Sequence, residues 1–189
     1  MNIKSDDPQA LKQLPALAYL SSKYFAQGLR ILAFPSDQGY FEPDIADMIR
    51  AKYFQQYSFG QFPAAVVFDK VDVIGKTAHP LWRYLNDELP NPNGVARVTL
   101  NFEKFLLDEN FRPVRRYPRL YDAYEMENDV ATLLAGDKLP VASSKLVAAW
   151  DAAEREAIKS EYAYRANYNV YDQDEASTDW TGLAKAGFR

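Results

Sequence analysis

The 189-residue chain contains no cysteine, so disulfides, thiolate nucleophiles and cysteine-ligated metals are excluded within it. Histidine is nearly absent. The single His79 precedes a proline and has no acidic or nucleophilic partner in view, so it reads as a contact at a helix N-terminus rather than a catalytic base. No apolar run approaches the roughly 20 residues a bilayer-spanning helix needs. The opening MNIKSDDPQALKQL has neither the apolar core of a signal peptide nor the Arg-rich, acid-poor look of a mitochondrial presequence. Basic excess is lacking too: a net charge of −4 argues against broad attraction to nucleic acid. There is no glycine-rich phosphate loop and no aromatic RNA-binding motif. The acid pairs Asp69/Asp72 and Asp172/Asp174 lack the pattern of a metal loop, so they read as solvated charge. No cofactor and no metal are expected.

What is present suits one domain with an appendage, because 48% hydrophobic residues in a chain of this length can bury a sizeable core. Leu11, Leu14, Leu17, Ala18 and Tyr24 recur at helical spacing and predict a helix over 8–27, stopped by Gly28 and shortened or kinked by Pro15. Leu29–Phe34 reads as a buried strand ended by Pro35, which suggests an α/β unit with a parallel sheet. A second helix is predicted over 44–57 with Ile45, Met48, Ile49 and Tyr53 along one side. A strand follows around Val66–Phe68, then a helix over 77–89 with Pro80 in its first turn and Leu81, Tyr84 and Leu85 inward. Glu125–Leu134 reads as a short helix ended by Gly136.

Two strand-like runs joined by a polar turn at Asp108–Arg112 predict a β-hairpin over Thr99–Tyr117, TLNFEKFLLDENFRPVRRY. Phe102, Phe105 and Leu107 supply bulk there, while Glu103, Lys104 and Asp108 supply charge. Pro113 opens the returning run, where a missing N–H does least harm. Arg112, Arg115, Arg116 and Arg119 form a local basic cluster. It reads either as a site for an anion, RNA or acidic partner, or as alternating hairpin residues on a solvated face. From Asp137 the character changes: Ser143 or Ser144 caps a long helix carrying Leu146, Val147, Trp150, Ala157 and Ile158. A stretch rich in Tyr162, Tyr164, Tyr168, Tyr171 and Trp180 follows. Large rings set among charges are costly to leave in water, and Trp150 and these five are candidates for docking a partner protein. The other account is that the segment wraps back on its own domain.

Four blocks resemble the glutathione peroxidase family in the right order. The hairpin is similar to the family's WNFEKFLV-to-RY hairpin, Leu32–Pro43 (LAFPSDQGYFEP) to GFPCNQFGGQEP, Phe68–Gly75 (FDKVDVIG) to FEKVDVNG, and Ala78–Leu85 (AHPLWRYL) to AHPLYKFL. The resemblance implies an α/β, thioredoxin-like fold: a mixed sheet flanked by helices, N-terminally truncated, with a C-terminal helical and tyrosine-rich extension. The expected division is 1–136 for the peroxidase-like domain and 137–189 for the helix and aromatic tail. Family members use a peroxidatic selenocysteine or cysteine supported by Gln, Trp and Asn. The resemblance places Gln38 and Asn101 at two of those positions and Leu100 at the Trp position, where it has no indole N–H to donate. The nucleophile's place falls to Asp7 or Pro8, and a resolving cysteine's to Ser36.

These substitutions lead to the expectation that the chain is not an enzyme, that Gln38, Leu100 and Asn101 are vestigial, and that the domain is a structural or adaptor subunit of a larger assembly, in a mitochondrial or other organellar setting. Two alternatives stay open. One is a residual glutathione- or hydroperoxide-binding enzyme using Gln38 and Asn101; the other is an RNA-contacting subunit using the 112–119 arginines.

Overall fold

A computed structural model describes residues 1–38, 44–159 and 164 of the chain. Three short parallel strands, β1 (Asn2–Ile3), β2 (Ile31–Pro35) and β3 (Ala65–Val67), lie in the order β1-β2-β3, with Asn2 opposite Phe34 and Ile31 opposite Ala65. Helix α1 (Ala10–Tyr24) links β1 to β2, and α2 (Ala46–Tyr57) lies between β2 and β3. Parallel neighbours need such crossovers. After α3 (Pro80–Glu88) comes the expected antiparallel hairpin, β4 (Lys104–Leu107) against β5 (Pro113–Tyr117), with Lys104 opposite Tyr117. Asn2 joins the two sheets. Its carbonyl accepts from the Phe102 N–H at 3.0 Å and its side-chain oxygen from the Glu103 N–H at 3.0 Å. Helices α4 (Glu127–Leu134) and α5 (Ser144–Lys159) close the described part.

Alternation along β2 divides the core. Ala33 points into a large cluster with Leu14, Leu17, Leu20, Tyr53, Phe102 and Tyr117, while Phe34 points to the other face and joins Val73, Trp82, Leu85 and Val98. Local punctuation falls where the sequence predicts it. Gly28 takes φ +112°, Pro80 stands in the first turn of α3 behind the His79 cap, and Ser143 rather than Ser144 caps α5 by accepting the Leu146 N–H. Helix α1 runs through Pro15, which sits on the exposed side, where water can take the Leu11 carbonyl that proline leaves without a donor.

Several facing assignments need correction. Leu11, Ile45, Met48 and Tyr84 are exposed rather than inward, because α2 buries only the i, i+4 pair Ile49 and Tyr53 and α3 turns Trp82 and Leu85 to the core. In the hairpin, residues 99–103 form a buried turn rather than strand, and Glu103 and Lys104 are 1% and 2% exposed rather than surface charge.

Lys104 shares the inward phase of β4 with Leu106. Its ammonium lies 3.0–3.3 Å from the carbonyls of Pro118, Arg119 and Tyr121 and 3.1 Å from Gln13 Oε1. It therefore pins the chain after β5 onto α1. Burial lowers its pKa from 10.5 to about 7. Between those values the unfolded chain holds a proton that the folded chain has released, so this residue makes stability rise with pH across that window. Below about 7 both states are protonated and its contribution is flat. Lys104→Met is expected to remove that rise. Urea unfolding of parent and variant at pH 7 and pH 10 should show the parent gaining on the variant as pH increases, and parallel profiles would show that Lys104 keeps its proton throughout.

Candidate functional site

Asp7 stands just before α1 and starts it: one carboxylate oxygen accepts the Gln9 N–H at 2.9 Å and its carbonyl accepts the Ala10 N–H at 2.9 Å. Its side chain is fully buried. Arg119, delivered by the chain leaving β5, grips both carboxylate oxygens, with Nη2 2.6 Å from Oδ1 and Nη1 on Oδ2. Arg119 Nε reaches the Glu156 carboxylate on α5 at 2.8 Å. Burial opposes the Arg119 charge, but the hydrogen bonds and charges of Asp7 and Glu156 outweigh it and raise the pKa. Burial pushes the Glu156 carboxyl up, with Arg119 opposing that shift. The result is an acid–guanidinium–acid triad, buried at Asp7 and Arg119 and half-buried at Glu156, tying the start of α1 to α5.

A chain of amides runs from this triad. Asn101 points its amide N–H toward Asp7 at 3.4 Å and its oxygen accepts the Tyr164 hydroxyl at 2.8 Å. Asn2 donates to the same phenol oxygen at 2.8 Å, and the Ser36 side chain lies beside it. The Tyr164 backbone is fixed as well, its N–H on the Thr99 carbonyl at 2.9 Å and its carbonyl accepting from Arg97 at 3.0 Å. Leu100 is fully buried against Ala157 of α5.

The structure thus brings together Asp7, Asn101 and Ser36, three positions singled out by sequence. Gln38 sits in the Ser36 loop, its N–H 3.2 Å from Ser36 Oγ, but its side chain is committed elsewhere. Its oxygen accepts from Val73 and Ile74 N–H at 2.7 and 2.9 Å, and its amide donates to the Ile74 carbonyl at 2.8 Å. Asn2, Glu156 and the role of Arg119 were missed. Nothing local in the sequence marks an Arg119–Asp7 pair separated by more than a hundred positions.

Two docking candidates are corrected. Trp150 and Tyr164 are 3% and 2% exposed, packed into their own domain, because α5 and Tyr164 fill the two core clusters. Tyr162, Tyr168, Tyr171 and Trp180, like Asp172 and Asp174, lie outside the described residues. The arginine cluster is corrected as well. Arg115 Nη1 reaches both carboxylate oxygens of Asp129 at 2.9 Å, Arg116 pairs with Glu103 at 2.7 Å, and Arg119 holds the triad; Arg112 alone of the four is exposed. With three guanidinium groups spent on carboxylates, Arg112 is the exposed basic group of the four. Asp69 pairs with Arg50 at 2.7 Å and Asp72 accepts from Thr77 at 2.5 Å. Among the described residues no group of His, Cys, Asp and Glu is arranged to hold a metal, and no helix is long and apolar enough to cross a membrane.

The fold is thioredoxin-like, of the kind built by peroxidases: T. cruzi GPX1 superposes with a TM-score of 0.52 at 24% identity, over 73% of this chain and 81% of that one. The chain belongs to the glutathione peroxidase family. The family model described as glutathione peroxidase matches residues 2–86. The Bacillus subtilis glutathione peroxidase homolog BsaA is 36% identical over 65% of this chain and 74% of its own length. Phospholipid hydroperoxide glutathione peroxidase 1, chloroplastic, of Arabidopsis thaliana is 37% identical over 63% of this chain, and the match spans about half (49%) of that relative's length. These findings overturn the expectation that the chain is not an enzyme: the relatives are named as peroxidases, and the family points to an enzyme.

Proposed function

We propose that this glutathione-peroxidase-family chain serves as a structural subunit of a larger protein assembly, with residues 1–136 as its body and 137–189 as the extension that couples the body to its neighbours. The observation that carries the reading is the state of Asp7, one of the two positions, with Pro8, that the resemblance gives to the nucleophile: its carboxylate is held on both oxygens by a buried Arg119, which is itself tied to Glu156 of α5. Ion pairs so enclosed fix one arrangement of the surrounding chain, which suits a part shaped for assembly. Gln38, with three bonds to the 73–74 backbone, is read as a packing element, as are Leu100 and Asn101. The docking residues in this reading are Tyr162 and, beyond Tyr164, Tyr168, Tyr171 and Trp180, together with the exposed Arg112. An organellar setting is in keeping with the chloroplastic name of the Arabidopsis relative. Affinity capture from native extracts, with mass spectrometry and native sizing, should find the chain in a defined complex that dissolves when residues after Tyr164 are removed. A monomer in native extracts would end this reading.

The peroxidase names of the relatives favour a second reading, turnover of a hydroperoxide with glutathione. With no cysteine in the chain, the thiol must come from outside it. This reading requires peroxide consumption that falls on Gln38→Ala, and a flat assay of the parent removes it.

A further inference from the structure

Tyr164 is held as a ligand is held. Its hydroxyl both accepts and donates, accepting a hydrogen bond from the Asn2 amide and donating one to the Asn101 oxygen, each at 2.8 Å. The direction of every bond in that chain is fixed by what lies behind it. Asn2 spends its side-chain oxygen on the Glu103 N–H at 3.0 Å, so its amide group must face outward, toward the Leu100 carbonyl and the phenol. The Asp7 carboxylate, an acceptor already gripped by Arg119, draws the amide end of Asn101 and leaves the Asn101 oxygen facing the phenol. Tyr164 belongs to the buried apolar cluster of Phe34, Val73, Trp82 and Val98, which supplies an apolar wall for an aromatic body. Donor, acceptor and apolar wall are supplied by residues 2–101, whereas Tyr164 arrives from beyond the end of α5.

We propose that this hollow is a phenol-binding site that the chain fills with its own Tyr164, a tethered internal ligand. A free phenol competes with Tyr164 for the same donor, acceptor and wall, and its entry unseats the Tyr164 side chain. The proposal is independent of the assembly reading, since it concerns residues 2–164 and needs no partner.

The test uses the full-length chain with Tyr164→Ala and p-cresol, the tyrosine side chain as a free molecule. p-Cresol should raise the melting temperature of the Tyr164→Ala protein in a saturable way, binding about tenfold more tightly than toluene, which has the ring and lacks the hydroxyl. The parent, its site filled, should bind p-cresol much more weakly. Equal effects of p-cresol and toluene, or no effect of either, would overturn the proposal. If Tyr164→Ala does not fold, Tyr164→Phe serves with Asn101→Ala in a double-mutant cycle. The Asn101 substitution should lower the melting temperature clearly less when combined with Tyr164→Phe than in the parent, and strictly additive losses would refute a hydroxyl held by Asn101.

Discussion

Arg119→Met is expected to destabilise the protein by ~3–5 kcal/mol, the cost of leaving buried charges without their partner. For a domain of this size that is a fall of roughly 10 °C in melting temperature. The variant keeps most of the side chain's apolar stem and loses the fork that holds Asp7, whose side chain is fully buried, and Glu156 on α5. Arg119→Lys keeps a positive charge but cannot serve two carboxylates in the same planar geometry, so it should fall between parent and Met variant. The pH dependence distinguishes this from a packing defect. Burial already raises the Glu156 carboxyl, and removing Arg119 takes away the group that opposes the shift. An acid whose folded pKa lies above its unfolded value binds more protons folded than unfolded between the two, so stability falls as pH rises through that window. The Arg119→Met deficit should therefore be largest near neutrality and shrink in mild acid. Urea midpoints measured from neutrality down to about pH 4.5 check this, and a deficit below ~1 kcal/mol, or one independent of pH, would show that water already screens the triad.

The contrast between Gly28 and Arg119 shows which parts of the molecule can be read from sequence. Gly28, Pro80 with His79, and Ser143 act on backbone groups within a few positions, so their effects are visible in a short window, and the helix and hairpin order around them was legible. Which face an apolar residue turns inward is set by what packs against it. Helical spacing placed Leu11 and Met48 with Leu14 and Ile49, yet the structure buries only the second of each pair. Charge was misread for the same reason. Lys104, Glu103, Arg116 and Arg119 read as solvated when each is taken alone, but the fold sends them inward to carbonyls and counter-charges that it brings to them. At the candidate site, the positions of Gln38, Asn101 and Asp7 could be found from family-like blocks. The partners around Asp7 and Asn101, namely Asn2, Arg119, Glu156 and Tyr164, depend on contacts between distant parts of the chain, which no local pattern encodes.

Glu103→Gln is expected to cost ~3–5 kcal/mol although it changes a single atom type, because Glu103 is an acceptor on every side. One carboxylate oxygen takes the Thr99 N–H at 2.8 Å, the Thr99 hydroxyl at 2.9 Å and the Leu100 N–H at 3.2 Å; the other takes Arg116 Nε at 2.8 Å. Either orientation of a glutamine amide points donors at donors. Arg116 in turn donates to the carbonyls of Leu89, Val95, Ala96 and Arg97, so the pair organises the approach to the hairpin as well as its base. Within the turn, Phe102 adopts φ +62° while fully buried, a conformation that costs a bulky residue ~1–3 kcal/mol and persists because its surroundings hold it. Glu103 bonded to Thr99 and Leu100 is the part of those surroundings that can be removed by one substitution. Two consequences separate this account from a general loss of packing. Glu103→Gln and Arg116→Met should be strongly non-additive, the double variant losing much less than the two single losses combined. Tyr164, whose N–H is bonded to the Thr99 carbonyl and whose hydroxyl is bonded to Asn101, should also lose its hold when the 99–103 turn loosens, so its amide should exchange hydrogen faster in Glu103→Gln than global unfolding alone predicts. Additive losses, or unchanged exchange at Tyr164, would mean that the turn keeps its shape without the carboxylate.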